Sequence, residues 1–362
     1  MKHWLLSMLL VFGISFAKSQ SYYFTHYQVE NGLSNNAVIC SLQDHNGFLW
    51  FGTKDGLNRF DGYSFKIFRN DADDSTSVGS NYIYSLHEGP AGILWVGCDR
   101  GLFAYDATTE SFHRISKAPV TEILDIQEDS TGAIWFISRL VLYYYHPKTG
   151  AFKIFDQPGH LNVSSVCATA NGDLWISSSA GTIHRLLQDG PSATGYNVFD
   201  HSGPGVNNWI EKIYDAGNGN ILVGTSKQGA KLFDTRTGLY KDILNHTADE
   251  QEIFVRDFIR QSDNEYWIAT ESGVFIYDNS TGEYINLKKN YNNPYSISDN
   301  AVYTFCCDKE GGIWAGTYFG GITPVLKNSF HNQAVMLSVA MLFARSSVIM
   351  KETCGSEQKM RG

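Results

Sequence analysis

The stretch GFLWFGTKDGLNRFDG, residues 47–62, decides the fold because related stretches recur along the chain. It joins an apolar run around Trp50 to two glycine-containing turns. Six relatives follow, and together they give the consensus D-x-x-G-x-[LI]-W-[IV]-G-T-x-x-G-[LV]-x-x-[YF]-D. The seven copies are centred on Trp50, Trp95, Trp135, Trp175, Leu222, Trp267 and Trp314. A period of about 40–50 residues with several strands per unit is typical of a β-propeller.

One repeat reads as four strands. Residues 36–44 alternate small and β-branched residues and predict an inner strand, followed by strands over 48–53, 57–61 and 63–69. A single four-stranded sheet cannot bury both faces, so the units must stack, with each tryptophan between blades. We therefore predict an all-β, seven-bladed propeller of four-stranded antiparallel blades over residues 20–325. Residues 22–27 resemble an outer strand, and we expect them to complete the last blade and close the ring.

Composition agrees with this fold and excludes one class of partner. The 362 residues include 34 glycines and are 14% aromatic and 18% charged, which favours strands and tight turns. The net charge is -9 and no basic run exists, so we expect no nucleic-acid partner. Six cysteines show no framework spacing and are interpreted as small buried residues.

The first residues, MKHWLLSMLLVFGISFAKSQ, predict a secretory signal peptide over residues 1–19. Lys2 supplies the positive region, an apolar run follows, and Ala17 and Ser19 suit a cut before Gln20. A buried N-terminal helix is the alternative. The signal peptide predicts a periplasmic protein, and no other segment is apolar enough to span a membrane.

The C-terminal segment, residues 326–362, does not continue the pattern. It lacks turn residues and alternation, and a helical tail is one explanation. Translated in another frame, the codons around and after Met350 are compatible with DNEGNLWVGTED, which is the repeat consensus. We therefore hypothesise a frameshift before about residue 340, which would leave the tail non-native or disordered and would have replaced an eighth motif.

The segment GLSNNAVICSLQDHNGFLWFGTKDGLNRFDGYSF, residues 32–65, resembles the two-component-regulator propeller repeat. The resemblance covers residues 22–325 and is closest in blades 1, 2 and 7. Similar proteins form the N-terminal periplasmic sensor region of hybrid two-component systems in Bacteroides-like bacteria. The resemblance implies two seven-bladed propellers, an immunoglobulin-like domain, one membrane helix, a histidine kinase, a receiver and an AraC-type DNA-binding domain. It also implies sensing of oligosaccharides released from a polysaccharide.

The sequence carries no kinase, receiver or helix-turn-helix motif, so its implied partners include a second propeller and kinase domains that it lacks. We expect the N-terminal part of a sensor or a pseudogene product. We find no catalytic constellation, metal motif or cofactor motif and expect no enzymatic activity. The acidic loop NDADDSTS, residues 70–77, lacks the glycine and glutamate of a calcium loop. The recurring aspartates are interpreted as turn residues that accept backbone hydrogen bonds.

A ligand site is predicted where the chain enters the inner strands. Asparagine side chains suit sugar hydroxyls, and aromatic rings suit the apolar faces of sugars. The candidates are Asn36, Asn81, Tyr82, Trp209 and Asn300, with the insert over residues 186–208 as a candidate for specificity. Asparagine before a strand is also a common turn residue, and a tryptophan here also suits packing between blades. A propeller glycan lyase or hydrolase and a protein-interaction scaffold are the alternative functions.

Overall fold

The computed structural model describes residues 22–155, 161–187, 190–199 and 208–327. Within these ranges the chain forms seven four-stranded sheets and a short 3-10 turn, Val29–Asn31. No helix in the described part is long and apolar enough to cross a membrane. The predicted signal peptide and nearly all of the predicted tail lie outside the described residues, so both stay predictions.

The strands are numbered in chain order, and each blade is given from its inner to its outer strand. The first blade is β2 (Val38–Gln43), β3 (Leu49–Thr53), β4 (Gly56–Phe60) and β5 (Phe65–Phe68), and the second is β6 (Ile83–Glu88), β7 (Leu94–Cys98), β8 (Gly101–Asp106) and β9 (Ser111–Arg114). The third blade is β10 (Asp125–Glu128), β11 (Ile134–Ser138), β12 (Val141–His146) and β13 (Ala151–Phe155). The fourth blade is β14 (Val163–Ala168), β15 (Leu174–Ser178), β16 (Thr182–Leu187) and β17 (Gly190–Asn197).

The fifth blade is β18 (Ile210–Gly217), β19 (Asn220–Thr225), β20 (Ala230–Asp234) and β21 (Tyr240–Leu244). The sixth blade is β22 (Val255–Arg260), β23 (Glu265–Thr270), β24 (Gly273–Asp278) and β25 (Tyr284–Leu287). The seventh blade is β26 (Val302–Cys307), β27 (Ile313–Thr317), β28 (Ile322–Lys327) and β1 (Tyr22–Phe24). Each inner strand contacts the inner strands of both neighbouring blades, and β26 contacts β2. The sheets therefore close into a ring, and the prediction of a seven-bladed propeller is confirmed.

The N-terminal strand β1 is the outermost strand of the seventh blade. The backbone N–H of Tyr27 donates to the carbonyl of Ile322, and that of Ile322 donates back, both at 2.9 Å. The Tyr27 ring also packs 5.2 Å from Phe60 and 6.0 Å from Trp314, between centroids. Residues from the start of the chain thus complete the last blade, as predicted.

The apolar core lies between adjacent blades. Trp50 is 1% exposed and packs in one cluster with Val96 and Phe103 of the second blade. The glycine two residues after the tryptophan allows this approach: a Cβ on Gly52 would lie 2.7 Å from Cγ2 of Ile83 in the next blade. That separation is too short for two carbon atoms, so the motif glycine sets how closely blades pack.

By its contacts the chain divides into two units. The propeller is residues Phe24–Val325. The second unit takes residues from both ends of the chain, of which only Tyr22, Tyr23, Leu326 and Lys327 are described.

Candidate functional site

The mouth of the ring is the end at which the seven inner strands begin. Antiparallel pairing places the turn between the second and third strands of each blade at this same end. The hairpins between the first and second strands lie at the opposite end, which we call the far end. Two places in every repeat therefore supply the side chains of the mouth.

Six of the seven inner strands contain a β-bulge near their first residue. In β6, Ile83 pairs with Cys98 and Ser85 pairs with Gly97, so Tyr84 is the extra residue. A bulge leaves its extra residue outside the ladder and redirects the side chain. These residues lie eleven positions before the Trp50 position of the motif, and with Leu124 at the same position of the third blade they form what we call the bulge ring. The bulge ring is Ile39, Tyr84, Leu124, Ser164, Glu211, Arg256 and Tyr303.

The residue before each bulge-ring residue is a buried valine or isoleucine in all seven blades. These are Val38, Ile83, Ile123, Val163, Ile210, Val255 and Val302. Burial of this β-branched side chain fixes the start of the inner strand, while the bulge-ring residue after it remains partly or largely exposed, as with Leu124 at 40%. The repeat therefore holds the backbone constant and leaves the mouth side chain free to differ from blade to blade.

A second set of mouth residues lies four positions after the motif tryptophan, and we call it the turn ring. It is Lys54, Asp99, Arg139, Ser179, Ser226, Glu271 and Tyr318. In five blades the backbone N–H of this residue donates to the carbonyl that lies two residues before the bulge, as from Tyr318 to Ala301 at 2.9 Å. This bond holds each turn-ring residue beside the bulge ring.

Aromatic side chains of the seventh blade stack at the mouth. The rings of Tyr303 and Tyr318 stack with centroids 4.8 Å apart, and Phe319 meets Tyr318 edge-on at 4.6 Å. Phe319 is 72% exposed, so an aromatic face is open to solvent here. The Arg256 guanidinium lies 4.3 Å from the Tyr303 ring centroid and donates to the Tyr303 hydroxyl at 3.0 Å. Arg256 therefore extends the stack from the seventh blade to the sixth.

Two carboxyl groups face this arginine. Arg256 Nε donates to Glu271 Oε1 at 3.2 Å. Burial raises the pKa of the Glu211 carboxyl to about 7, although Arg256 acts to lower it, and Glu271 adds to the rise. The side chain of Trp209 hydrogen-bonds to Glu211. Glu211 thus titrates near neutral pH, beside an arginine that is already paired.

The stack continues in the other direction through the first and second blades. Lys54 Nζ donates to the Tyr318 hydroxyl. It lies 4.1 Å from the centroid of the Tyr318 ring and 5.8 Å from the centroid of the Tyr82 ring. Tyr82 stacks on Tyr84 at 4.3 Å. Burial raises the pKa of Tyr82 and, together with a hydrogen bond to Asp99, that of Tyr84, so both phenols keep their protons at neutral pH.

We call this continuous set of side chains the mouth crescent. It comprises Tyr84, Tyr82, Lys54, Tyr318, Phe319, Tyr303, Arg256, Glu271, Glu211 and Trp209. The crescent offers aromatic faces, hydroxyl and cationic donors and carboxylate acceptors along one arc of the mouth. Such a surface suits a polar ligand that also has apolar faces.

Below the mouth, the inner strands present a third set, ten positions before the motif tryptophan, which we call the channel ring. It is Cys40, Ser85, Asp125, Ser165, Lys212, Asp257 and Thr304. Lys212 Nζ lies 2.9 Å from Asp125 Oδ1, and Ser165 Oγ donates to Asp125 Oδ2 at 2.7 Å. Burial raises the pKa of Asp257, with Lys212 acting against it. Burial acts to lower the pKa of Lys212, but Asp125 and Asp257 outweigh it and the pKa is raised, so the amine is a cation.

The predicted asparagines Asn36, Asn81 and Asn300 hydrogen-bond to the backbone of the loops at the mouth. Their main-chain carbonyls accept an N–H from a turn glycine of the preceding blade, at 3.0 Å for Asn36, 2.7 Å for Asn81 and 2.8 Å for Asn300. Their Oδ1 atoms accept a loop backbone N–H, at 3.0, 2.7 and 2.8 Å respectively. These bonds are those of turn residues, and they hold the loops that lead into the inner strands.

Tyr82 and Trp209, the predicted aromatic candidates, both belong to the mouth crescent. Sequence reasoning missed its other members, including Arg256, Tyr303 and Tyr318. A signal for them existed, because each lies at a fixed offset from the motif tryptophan. They were missed because the consensus retains the positions that agree between repeats, whereas these positions differ.

Other features singled out in the sequence lie away from the crescent. In the acidic loop, Asp71 and Asp74 accept backbone N–H bonds from Asp73 at 3.0 Å and Thr76 at 2.8 Å. No group of histidine, cysteine or acidic residues in the described ranges could hold a metal ion. Much of the insert over residues 186–208 lies outside the described residues, namely 188–189 and 200–207.

The recurring aspartates accept backbone hydrogen bonds in their turns, as predicted. Asp44 Oδ1 accepts from the Phe48 N–H at 2.9 Å. Asp61, Asp106, Asp234 and Asp278 each accept a backbone N–H from the residue two positions later.

Three segments of the chain, residues 32–55, 77–100 and 296–319, match the family described as two component regulator propeller. These segments are two-component regulator propeller repeats. They fall on blades 1, 2 and 7, the blades in which the sequence resemblance is closest. They also contain Lys54, Tyr82, Tyr84, Tyr303 and Tyr318 of the mouth crescent.

Two other proteins are similar to this chain over part of their length. Histidine kinase P4 of Formosa agariphila is 48% identical over 62 residues, which are 17% of this chain and 4% of that protein. The extracellular domain of a B. thetaiotaomicron protein assigned as a hybrid two component system is 25% identical, with a TM-score of 0.71. That match covers 85% of this chain and 42% of the other. The chain thus spans less than half the length of these relatives.

One enzyme resembles this chain in fold alone. Virginiamycin B lyase from Staphylococcus aureus has a TM-score of 0.66 to this chain at 12% identity, over 84% of this chain and 99% of the lyase. At that identity the comparison establishes a common propeller architecture.

Proposed function

We propose that this propeller is the periplasmic ligand-sensing domain of a hybrid two-component histidine kinase, and that it binds a glycan-derived oligosaccharide at the mouth crescent. The observation that carries the proposal is the crescent itself: side chains that differ from blade to blade, on a backbone that repeats. The similarity to extracellular domains of two-component systems supports the sensing role. Signalling would require kinase domains outside this chain.

The crescent suits the chemistry of a sugar chain. Pyranose rings have apolar faces, and the exposed ring of Phe319 and the stacked Tyr303–Tyr318 pair offer flat surfaces for them. Arginine, lysine and tyrosine donors beside carboxylate acceptors can bond to alternating hydroxyls. An arc that crosses several blades fits an extended oligosaccharide better than a compact small molecule.

A glycan array on the full chain, followed by calorimetric titration of each hit, tests the proposal. We expect micromolar or tighter binding of at least one oligosaccharide and a loss of about tenfold or more on Tyr303→Ala, because a stacked aromatic contact and a hydroxyl are removed together. Tyr63→Ala is the matched control, since Tyr63 is 96% exposed and lies outside the mouth. Failure of every glycan to bind, or equal losses in both variants, would contradict the proposal.

An enzyme that cleaves glycans is the second candidate, and Glu211 is the observation that favours it. A carboxyl group with a pKa of about 7 lies in the range of a general acid. Glycoside hydrolysis also needs a second, free carboxylate, whereas Glu271 is bonded to Arg256. Turnover of a bound glycan that disappears in Glu211→Gln, with binding retained, would establish the enzyme; binding without turnover supports the sensor.

A further inference from the structure

Lys54 differs from the other cations of the mouth. The bulge and turn rings contain three basic residues, Lys54, Arg139 and Arg256. Arg256 is paired with Glu271, and Arg139 Nε lies 3.9 Å from Glu122 Oε2. Lys54 has no carboxylate partner among the described residues. Its neighbour Asp55 bonds instead to Arg69 at 3.0 Å and to Asn81 at 3.2 Å.

The ammonium group of Lys54 is held in place by aromatic side chains. It lies between the rings of Tyr318 and Tyr82 and donates to the Tyr318 hydroxyl. The Lys54 backbone N–H bonds to the Ala37 carbonyl at 3.3 Å, which fixes the turn that carries it. A half-buried, partly desolvated cation in a fixed position forms a stronger ion pair than an exposed lysine does.

The Lys54 ammonium group and the Tyr318 hydroxyl both offer protons to a ligand. The Tyr318 oxygen accepts from Lys54, so its own O–H remains a donor for a ligand. The ammonium group has three protons, of which one goes to Tyr318. A ligand group that satisfies several donors and a positive charge at once is a carboxylate or a sulfate.

We propose that Lys54 determines specificity by pairing with an anionic group, the carboxylate or sulfate of a sugar, in the ligand of the mouth crescent. The proposal rests on the proposed function and names its substrate class: acidic rather than neutral oligosaccharides. The protein's net charge of -9 opposes long-range attraction of such a ligand. Selectivity therefore depends on the local pair with Lys54, at a distance where screening by salt is incomplete.

The test uses the full chain and probes that differ only in charge. Tetragalacturonate is compared with its methyl ester, and a sulfated galactan oligosaccharide with its desulfated form. We expect one acidic probe to bind at least about tenfold more tightly than its neutral form, since a hydrogen-bonded charge pair is worth about that factor. Which probe responds distinguishes a carboxylate ligand from a sulfate.

Lys54→Met keeps the apolar stem and removes the charge. It should reduce affinity for the acidic probe about tenfold more than affinity for the neutral probe and weaken the salt dependence of binding, while Lys54→Arg retains binding. Lys66→Met is the control, because Lys66 lies on β5, the outer strand of the same blade as Lys54, and pairs with Glu110 of the second blade. Unchanged thermal unfolding of both variants excludes misfolding.

Two results would overturn the proposal, and they are distinguishable. If neutral probes bind as tightly as acidic ones and Lys54→Met changes nothing, while Tyr303→Ala abolishes binding, the mouth binds neutral sugars. The inference then fails and the proposed function stands. If neither class of probe nor any glycan on the array binds, the proposed function fails and the inference fails with it.

Discussion

At the scale of single residues, the motif aspartate joins two features that the consensus lists separately. Asp44 accepts from the Phe48 N–H in the hairpin and, through Oδ2, from Trp50 Nε1 at 2.8 Å. The same indole bond recurs at 2.8 Å between Trp135 and Asp129 and between Trp314 and Asp308. One carboxylate thus fixes both the turn and the orientation of the side chain that fills the space between blades.

Removing the indole N–H should lower the free energy of unfolding more in a blade where an aspartate accepts this bond than in a blade that lacks the aspartate. Trp50→Phe should lower the free energy of unfolding by about 1–3 kcal/mol, because it leaves a buried carboxylate oxygen without its donor. In the fourth blade the corresponding position is Thr169, so Trp175→Phe is a matched control with a smaller cost. Equal losses for the two variants in urea denaturation would show that ring size, and not the bond, sets the cost.

At the scale of the strand, the sequence predicts the features that recur in every repeat and misses the positions that differ between repeats. Period, turns and the alternation of residues 36–44 were sufficient to predict four strands per blade and the outer strand from residues 22–27. The bulges were not predicted, because a bulge residue such as Glu211 or Arg256 interrupts the alternation without leaving a residue type in common. The mouth crescent depends on these bulges, so only Tyr82 and Trp209 of it were predicted.

The N-terminal strand makes a prediction of its own. Deleting residues 22–27 should lower the free energy of unfolding by about 3–5 kcal/mol or more, since it removes the buried side chain of Phe24 and the packing of Tyr27 on Phe60 and Trp314. The thermal midpoint should fall accordingly, whereas Tyr63→Ala should leave it within experimental error. An unchanged melting curve would refute the role of β1 in closing the ring.

At the scale of the whole molecule, the channel ring links blades that are distant in sequence. Lys212 of the fifth blade pairs with Asp125 of the third and acts on Asp257 of the sixth. Removing one partner of a partly buried charge cluster leaves the others uncompensated. The Lys212 side chain is 25% exposed, so we expect Lys212→Met to lower the free energy of unfolding by about 1–3 kcal/mol at neutral pH.

The pH dependence of that variant follows from Asp257. Burial already raises its pKa, and loss of Lys212 raises it further. A carboxyl group whose pKa is higher in the folded state than in the unfolded state favours folding at low pH, and that advantage is lost as pH rises through the folded pKa. The deficit of Lys212→Met should therefore shrink as the pH falls toward about 4, with the double variant Asp125→Asn/Lys212→Met less affected throughout. A deficit independent of pH would contradict this account.

The most direct test of the account is hydrogen exchange on the full chain, with and without the oligosaccharide that binds most tightly on the array. Slowed exchange is predicted in the segments that form the mouth crescent, residues 54–56, 82–84, 209–211, 254–256, 270–272, 303–304 and 317–319. No change is predicted in the far-end hairpins at residues 44–48, 129–133 and 308–312. Protection confined to the far end, including its small cleft between Asn171 and Asn218, would contradict a ligand site at the mouth.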